Sequence, residues 1–332
     1  MQVIKDSKHI HKLFDTIDLL YATVSERQVN KYPITLDKAF KGLLDKFYVF
    51  GDINYNIQYK DVEYSKIKTV KDNNTVLVAF SGGKDSTALA LYYKDKGYNV
   101  ILYHLKGINL TYKDEYKTAQ EIAVKLELPL VIEDIQLQGK QEWVEHPMKN
   151  MIIANRMIDY AVSHKLPCNI SFANFKNSSV YYDPFDVCGG DCFEMWEAYQ
   201  KIIRRVIPRF KILLQFDNMQ DSLDILFKHK DVATLPQSCI GAYRYREYLK
   251  GRNEAKYNIK LPQHRCGSCW KCAVEYIAYC DHDIYEYNKA YYEHCLDVLV
   301  RTCKQEKQER FTRRSVWDNY LLYPIEESKY FN

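Results

Sequence analysis

Residues 76–86 constrain this chain more than any other segment, because an apolar run leads directly into a glycine turn. Residues 76–80 read VLVAF, the composition of a buried parallel strand. Residues 81–86 read SGGKDS, and a helical stretch over 87–94 follows. A strand that passes through a glycine turn into a helix N-terminus forms an anion site, since backbone N–H groups and the helix dipole face the same place. The sequence therefore predicts a phosphate-binding loop over 81–86.

The side chains of this loop fit the same purpose. Ser81 and Ser86 offer hydroxyl donors, and Lys84 offers a mobile positive charge. Asp85 has two interpretations, either as a cap of the following helix or as a group that orients Mg²⁺. The spacing is not that of the Walker loop, GxxxxGK[ST]. A tight turn without a ligand is the alternative, but it suits a bare pair of glycines better than all six residues in order.

Apolar strands alternate with helical stretches downstream of the loop. Residues 99–104, 130–132 and 168–172 have strand composition, whereas 112–128 and 151–164 have helical periodicity. This alternation predicts an α/β fold, a doubly wound parallel sheet covered by helices, with ligands beyond the carboxyl ends of the strands.

The remaining sequence divides around this sheet. We expect an N-terminal extension over 1–72, the sheet domain over 73–235 and a helical, cysteine-containing C-terminal region over 236–332. Within the extension, residues 36–47 have the spacing of an amphipathic helix and residues 55–60 alternate like a strand. The extension contains no motif that carries chemistry.

Composition limits the class of protein. The net charge of +4 is too small to indicate nucleic-acid binding by itself, and the short basic run RFTRR at 310–314 is more typical of a solvated helix face. No apolar run reaches the ~20 residues of a membrane span, and the N-terminus lacks an apolar signal core. We therefore expect a cytoplasmic protein without a membrane partner, whose ten cysteines are reduced thiols or metal ligands.

A cysteine cluster is the second strong motif. Residues 266–272 read CGSCWKC, so that Cys266, Cys269 and Cys272 are separated by two residues each. This spacing lets one turn present several thiolates to a tetrahedral ion. A structural zinc site needs a fourth ligand, for which we select Cys239, with His264 and Cys280 as alternatives. An iron–sulfur cluster would use the same ligands, and three reduced cysteines without metal are the remaining interpretation.

The loop and the cysteines together resemble one family. SGGKDS resembles the pyrophosphate loop of the ATP pyrophosphatase (PP-loop) superfamily, and the late cysteine motif is similar to that of 7-cyano-7-deazaguanine synthases, the QueC type. The resemblance runs in order over roughly residues 74–280. Its weaker matches are 115–134, 146–150, Phe172-Ala173-Asn174, Asp191-Cys192 with the residues up to Trp196, and Ser238-Cys239.

The chain also departs from the family pattern. Residues 241–265 intervene between the first zinc cysteine and the other three, and an extra segment covers 176–190. Glu275 stands where the family usually has an arginine, and Met148 and Lys149 replace part of a Pro-Gly-Arg-Asn turn. These departures indicate a divergent member, of a kind expected in phages or anti-phage defence islands.

The resemblance implies an ATP-dependent C–N ligase with an adenine nucleotide alpha hydrolase-like fold. ATP and Mg²⁺ would activate a 7-carboxy-7-deazaguanine-like carboxylate, and ammonia would give an amide or the nitrile preQ0, as in queuosine biosynthesis. The implied catalytic residues are Lys84, Asp85 and Lys149. The implied nucleotide-binding residues are Ser81, Gly82, Gly83, Lys84, Asp85, Ser86, Thr87 and Asn150. The implied substrate residues are Asn174, Asp191 and Cys192, and the implied Zn²⁺ ligands are Cys239, Cys266, Cys269 and Cys272.

Other functions stay open at this point. A ligase could capture the acyl adenylate with an amine on a protein or DNA, and the long inserts would suit such an acceptor. A nucleic-acid sulfur transferase would use a persulfide cysteine or an exposed cluster. A non-enzymatic scaffold is disfavoured by the intact SGGKDS loop. Family members often form homodimers, which we expect here only from the resemblance.

Overall fold

The computed structural model describes residues 34–43, 57–61, 63, 65–107, 115–134, 149–176, 193–236, 239, 243–262 and 265–309. These residues fall into two compact units that interleave along the chain. Unit 1 lies within Met1–Phe80, Tyr92–Lys113 and Leu128–Asp217, and unit 2 lies within Ser81–Leu91, Asp114–Glu127 and Asn218–Asn332. The predicted domain boundaries at 72/73 and 235/236 stay a prediction.

Unit 1 is built on a five-stranded parallel sheet. In chain order its strands are β3 (Thr75–Ala79), β4 (Asn99–Lys106), β5 (Leu130–Asp134), β6 (Asn169–Ser171) and β7 (Lys211–Leu213). They are arranged in the spatial order β5-β4-β3-β6-β7, and every neighbouring pair is parallel. The strand order reverses between β3 and β6, which is the switch point where α/β sheets bind ligands beyond their carboxyl ends. The predicted α/β parallel fold is confirmed.

The central strand is buried on both faces. Val76, Leu77 and Val78 are completely inaccessible to solvent, which explains why the sequence of β3 is a continuous apolar run rather than an alternating one. Leu77 belongs to the main hydrophobic core with residues of α3 (Lys149–Ser163) and α4 (Phe193–Ile203). Within this core Trp196 stacks on Phe172 with ring centroids 4.6 Å apart.

The N-terminal extension contributes a second, smaller sheet to unit 1. Strands β1 (Ile34–Asp37) and β2 (Ile57–Lys60) pair in parallel, Ile34 opposite Ile57. The expectation of a strand at 55–60 is confirmed over the described part, 57–60. The expectation of a helix over 36–47 is wrong at Leu36 and Asp37, because pairing with a distant strand outweighs the local helical spacing.

Unit 2 is helical. It contains the first part of α1 (Lys84–Asp95), α2 (Glu115–Leu126), α5 (Met219–Lys228), the short α6 (Lys230–Ala233), α7 (Tyr243–Tyr257), α8 (Trp270–Asp281) and α9 (Lys289–Glu309). Helices α8 and α9 pack against each other, and the rings of Tyr276 and Tyr291 meet edge to face at 4.5 Å. Buried tyrosines of these two helices account for part of the high tyrosine content. None of the helices within the described ranges is long and apolar enough to cross a membrane.

Candidate functional site: a nucleotide loop and a cysteine cluster in unit 2

The SGGKDS loop begins two residues after β3 and runs into the first turn of α1. Gly82 has φ +76°, a left-handed conformation that strongly favours glycine. A Cβ built at Gly82 would lie 2.9 Å from the backbone nitrogen of Ala119 in α2. Backbone conformation and close approach therefore both require glycine at this position.

Two serine hydroxyl groups close the loop. The Oγ atoms of Ser81 and Ser86 are 3.1 Å apart, and Ser86 Oγ accepts a hydrogen bond from the Ser81 N–H at 3.3 Å. The Gly83 N–H donates to Ser81 Oγ at 3.2 Å. These bonds fix the turn from inside, so the hydroxyl groups hold the loop in shape as well as offering donors.

Backbone donors remain at the start of α1. The first intrahelical bond runs from the Thr87 N–H to the Gly83 carbonyl at 3.0 Å. The N–H groups of Gly82, Asp85 and Ser86 have no hydrogen-bond acceptor within the described part of the chain. Such unpaired N–H groups at a helix N-terminus, together with the helix dipole, form an anion-binding site.

The charged side chains of the loop contact each other, and a serine of α5 contacts the carboxylate. Lys84 is only 5% exposed, and its Nζ lies 2.5 Å from Asp85 Oδ1. Ser222 Oγ lies 2.8 Å from the same Asp85 oxygen and 2.8 Å from the Met219 carbonyl oxygen. The Asn218 side chain caps the N-terminus of α5 and so fixes the helix that carries Ser222.

A buried ion pair lies close enough to act on this loop electrostatically. Arg265 Nε donates to Glu275 Oε1 at 2.7 Å, Tyr285 donates to the same oxygen at 3.0 Å, and both charged residues are almost completely buried. Burial raises the pKa of Glu275, while the positive charges of Arg265 and Lys84 act in the opposite direction. The positive charge of Lys84 therefore lowers the pKa of Glu275, so that the loop and α8 are coupled electrostatically.

Four cysteines converge at the start of α8. The sulfur atoms of Cys239, Cys266, Cys269 and Cys272 all lie within 4.8 Å of one another. Cys266 and Cys272 are 3.9 Å apart, as are Cys239 and Cys269. The predicted fourth ligand, Cys239, thus joins the motif. The alternative Cys280 has its thiol on the Glu286 carbonyl instead, and the alternative His264 lies outside the described residues.

This donor set fits a structural zinc ion. Tetrahedral zinc with Zn–S bonds of about 2.3 Å places its thiolates about 3.8 Å apart, close to the two measured separations. Hydrogen bonding to Cys239 is the largest cause that raises the pKa of Cys269 and of Cys272. A bound cation would have to displace the protons of these thiols, so that metal binding would depend on pH.

The segment that departs from the family pattern supports the cysteine cluster. Residues 243–257 within it form α7, and Asn253 of this helix donates to the Cys266 carbonyl at 2.9 Å. Gly267 has φ +69°, and a Cβ there would lie 2.7 Å from the Tyr291 hydroxyl oxygen. Tyr291 in turn donates to the Gly267 carbonyl at 3.0 Å. The insert and α9 therefore hold the turn that presents the cysteines.

The other predicted site residues lie in unit 1 or outside the described residues. Lys149 and Asn150 are the first two residues of α3, and Asn174 follows β6 by three residues; all three are half-buried. Asp191 and Cys192 lie outside the described residues. The roles assigned to these five residues stay predictions.

Three residues of the site were not predicted from the sequence. Ser222 gave no signal, since a single serine in a helix is unremarkable in a sequence. Arg265 and Glu275 were noted only as part of an insert and as a departure from the family. Opposite charges that flank a cysteine motif were the signal that would have found this pair.

The fold and the loop define a class of protein: an ATP-utilising α/β enzyme with a PP-loop. Residues 75–164 match the family described as "Queuosine biosynthesis protein QueC". Over these residues the match confirms the resemblance to this family that the sequence predicts. ATP-dependent adenylation is the general chemistry of this class.

Two of the solved structures that are similar to the chain have the following names and measures. One is a predicted subunit of tRNA methyltransferase from Methanocaldococcus jannaschii, at 18% identity and TM-score 0.28, covering 57% of this chain and 93% of that chain. The other is NMN synthetase from Francisella tularensis, at 14% identity and TM-score 0.30, covering 73% of this chain and 88% of that chain. No curated protein matches the sequence.

Proposed function

We propose that this protein adenylates a 7-carboxy-7-deazaguanine-like carboxylate with ATP and converts it into an amide or nitrile. The carboxylate oxygen attacks the α-phosphorus, the bond to the β-phosphate oxygen breaks, and pyrophosphate leaves. Ammonia then attacks the acyl carbon and AMP leaves, which gives the amide. A second activation and loss of water would give 7-cyano-7-deazaguanine, preQ0.

The observation that carries this proposal is the loop itself. Its buried lysine, interlocked serines and unpaired N–H groups lie within the range that matches QueC. The loop would hold the β- and γ-phosphates, and Mg²⁺ would neutralise part of their charge. Lys84 would neutralise charge that develops on pyrophosphate as it leaves, and a fixed donor of this kind contributes about 10²–10³ in rate.

Asp85 and Ser222 have a positioning role in this proposal. The carboxylate of Asp85 lies against Lys84 Nζ, and the Ser222 hydroxyl holds the same carboxylate oxygen. Together they would keep the lysine head at one place before the nucleotide arrives. Pre-organisation of this kind lowers the reorganisation that the reaction would otherwise require.

The cysteine cluster would serve structure in this proposal. Three of its four cysteines are buried, and all four sulfur atoms are within the distance that one ion requires. A closed set of four thiolates leaves no open position for a substrate. This arrangement supports a structural zinc ion more than sulfur transfer, which would need an accessible persulfide or an open cluster.

The test is pyrophosphate release from ATP and Mg²⁺ in the presence of ammonium and 7-carboxy-7-deazaguanine, followed by mass analysis of the product. A product with the mass of the nitrile or the amide supports the proposal. An acyl adenylate that forms but reacts only with a protein or DNA amine would instead support the ligase alternative. Release of pyrophosphate only with another acid would overturn the substrate assignment and leave the adenylation chemistry in place.

A further inference from the structure

A basic surface lies on unit 1 at the amino-terminal edge of its sheet. Residues 65–71 read SKIKTVK and residues 201–211 read KIIRRVIPRFK, so that the first contains three cations, the second five and neither an acid. A backbone hydrogen bond of 2.8 Å from the Ile67 N–H to the Val206 carbonyl joins the two segments. The overall charge of +4 hides this local concentration of positive charge.

A cavity of about 300 Å³ opens between these segments. Buried Cys168 and Asn169 contribute to its wall just where β6 begins. Its charged lining consists of Lys71, Arg204, Arg209 and Lys211, with Asp72 as the one acid. Lys211 begins β7, which places the cavity at the strand starts and away from the carboxyl ends where the sheet's switch point lies.

The one acid of the lining is fully engaged. Asp72 accepts hydrogen bonds from Lys211 Nζ at 2.9 Å, from Asn169 Nδ2 at 2.9 Å and from the Asn74 N–H at 3.1 Å. Asp72 and Lys211 therefore neutralise each other and form a fixed part of the wall. The remaining three cations set the charge of the cavity.

Those three cations have their charged ends available. Arg204 donates its Nε–H to the Phe210 carbonyl at 2.9 Å, which orients the guanidinium plane and leaves its terminal nitrogens without a partner in the described ranges. Arg209 and Lys71 make no hydrogen bond or ion pair with any described residue. A planar guanidinium with two free N–H groups matches two phosphate oxygens.

We propose that this cavity and its flanking cations bind the phosphate backbone of a nucleic acid. The cavity seats one phosphate, and exposed Lys66, Lys68 and Lys201 extend the positive charge along both segments beyond the reach of a single small anion. No aromatic ring lines the cavity, so it contacts phosphates rather than stacking on bases. This inference does not rest on the proposed function, because it concerns other residues and another chemistry.

The test is fluorescence anisotropy with a labelled single-stranded DNA oligonucleotide and the full chain. The double variant Lys71→Ala/Arg209→Ala removes two cations that make no hydrogen bond or ion pair with any described residue. The matched control, Lys228→Ala/Arg252→Ala, removes one exposed lysine and one exposed arginine from unit 2. At roughly 50 mM salt we expect the first variant to bind about tenfold more weakly, with a salt slope smaller by about 1.4, and the control to bind as the unchanged protein does.

Competition identifies the ligand. Inorganic tripolyphosphate should displace the oligonucleotide only at a much higher concentration than unlabelled oligonucleotide does. Equal losses in the two double variants would overturn the proposal, as would displacement by tripolyphosphate or by poly-glutamate at the same concentration as DNA. Arg204→Ala is the second variant, and its binding should also fall while its melting temperature reports the lost bond to Phe210.

Discussion

Ser222 Oγ lies 2.8 Å from Asp85 Oδ1, the same oxygen that lies 2.5 Å from Lys84 Nζ. One carboxylate oxygen therefore joins a loop lysine to a helix that follows much later in the sequence. Because Lys84 is almost completely buried, this contact decides where its charge is located. The lysine, the carboxylate and the serine therefore form one connected set of polar side chains.

Lys84→Ala and Asp85→Ala should each lower pyrophosphate release by about 10²-fold or more, because the phosphate site loses its charge or the group that holds it. The metal content of the cysteine cluster should stay the same in both variants. Steady-state pyrophosphate release and elemental analysis of zinc check this prediction.

Two further variants separate position from charge in this group. Ser222→Ala keeps every charge and should cause a smaller loss of pyrophosphate release than Asp85→Ala does. Lys94→Ala removes an exposed charge from the far end of α1, the helix that carries Lys84 and Asp85, and should leave pyrophosphate release unchanged. Unchanged release in Lys84→Ala and Asp85→Ala would show that the loop is a plain turn.

Gly82→Ala should prevent ATP binding and destabilise the protein, and Gly97→Ala is its matched control. Both glycines have a left-handed φ, +76° and +73°, so an alanine costs about 1–2 kcal/mol at either position. Only at Gly82 does the new methyl group also meet backbone, at 2.9 Å from Ala119, whereas nothing lies within 4 Å at Gly97. Urea unfolding and ATP titration measure the difference, and equal effects would contradict the steric argument.

Cys269→Ser should lower both the zinc content and the free energy of unfolding, since metal binding contributes to folding in a site of this kind. Cys168→Ser is the control, because Cys168 is more deeply buried than Cys269 but lies outside the cluster. The Cys168→Ser variant should have a somewhat lower free energy of unfolding and an unchanged zinc content. Elemental analysis identifies the metal. A brown protein that contains iron would indicate an iron–sulfur cluster in place of zinc.

Arg265→Ala should destabilise the protein by about 3–5 kcal/mol, because it leaves the carboxylate of Glu275 buried without its partner. The double variant Arg265→Leu/Glu275→Leu removes both charges and should recover most of this loss. Urea unfolding of the single and double variants forms the test. A double variant that is no more stable than Arg265→Ala would show that the pair does not act as a unit.

Stability should fall as the pH falls through the range below 6.5, in part because of His104. Its Nδ1 lies 2.8 Å from the Phe80 carbonyl oxygen, and burial lowers the pKa of His104 below its usual 6.5. The unfolded chain takes up this proton first, so protonation favours unfolding by at most about 1.4 kcal/mol per pH unit. In His104→Gln the pH dependence measured by urea unfolding between pH 7.5 and 5 should be shallower. An unchanged slope would mean that His104 is protonated equally in both states.

The sheet was largely predictable, because its strands are apolar runs that local composition reveals. Strand β7 was not predicted, since Lys211–Leu213 is short and only partly buried, and periodicity has no length over which to appear. Within the described residues, the helix predicted at 36–47 is wrong only at its start. Residues 38–43 are helical, but Leu36 and Asp37 belong to β1, because β1 pairs with a strand 23 positions further along the chain and local spacing does not reveal that pairing.

The candidate site likewise contains residues that the sequence predicts and residues that it does not. Cysteine spacing and the six-residue loop are local signals, and the structure gathers both sets as the motifs suggested. The partners of those motifs are not local. Ser222 reaches Asp85 across 137 residues, and no pattern in a single sequence indicates that contact.

The spacing of three side chains along helix α8 leaves little freedom to insert or delete a residue between them. Cys272, Glu275 and Tyr279 are spaced three and four residues apart, so they share one face of the helix. The first belongs to the cysteine cluster. Burial raises the pKa of the other two, and to a smaller extent the charge of Lys84 lowers the pKa of Glu275 while that of Asp85 raises the pKa of Tyr279. One inserted residue between them would turn the later side chains by about 100° and break this alignment. Relatives should therefore vary the identity of residues along α8 while conserving their number, and accommodate insertions in the loops around it.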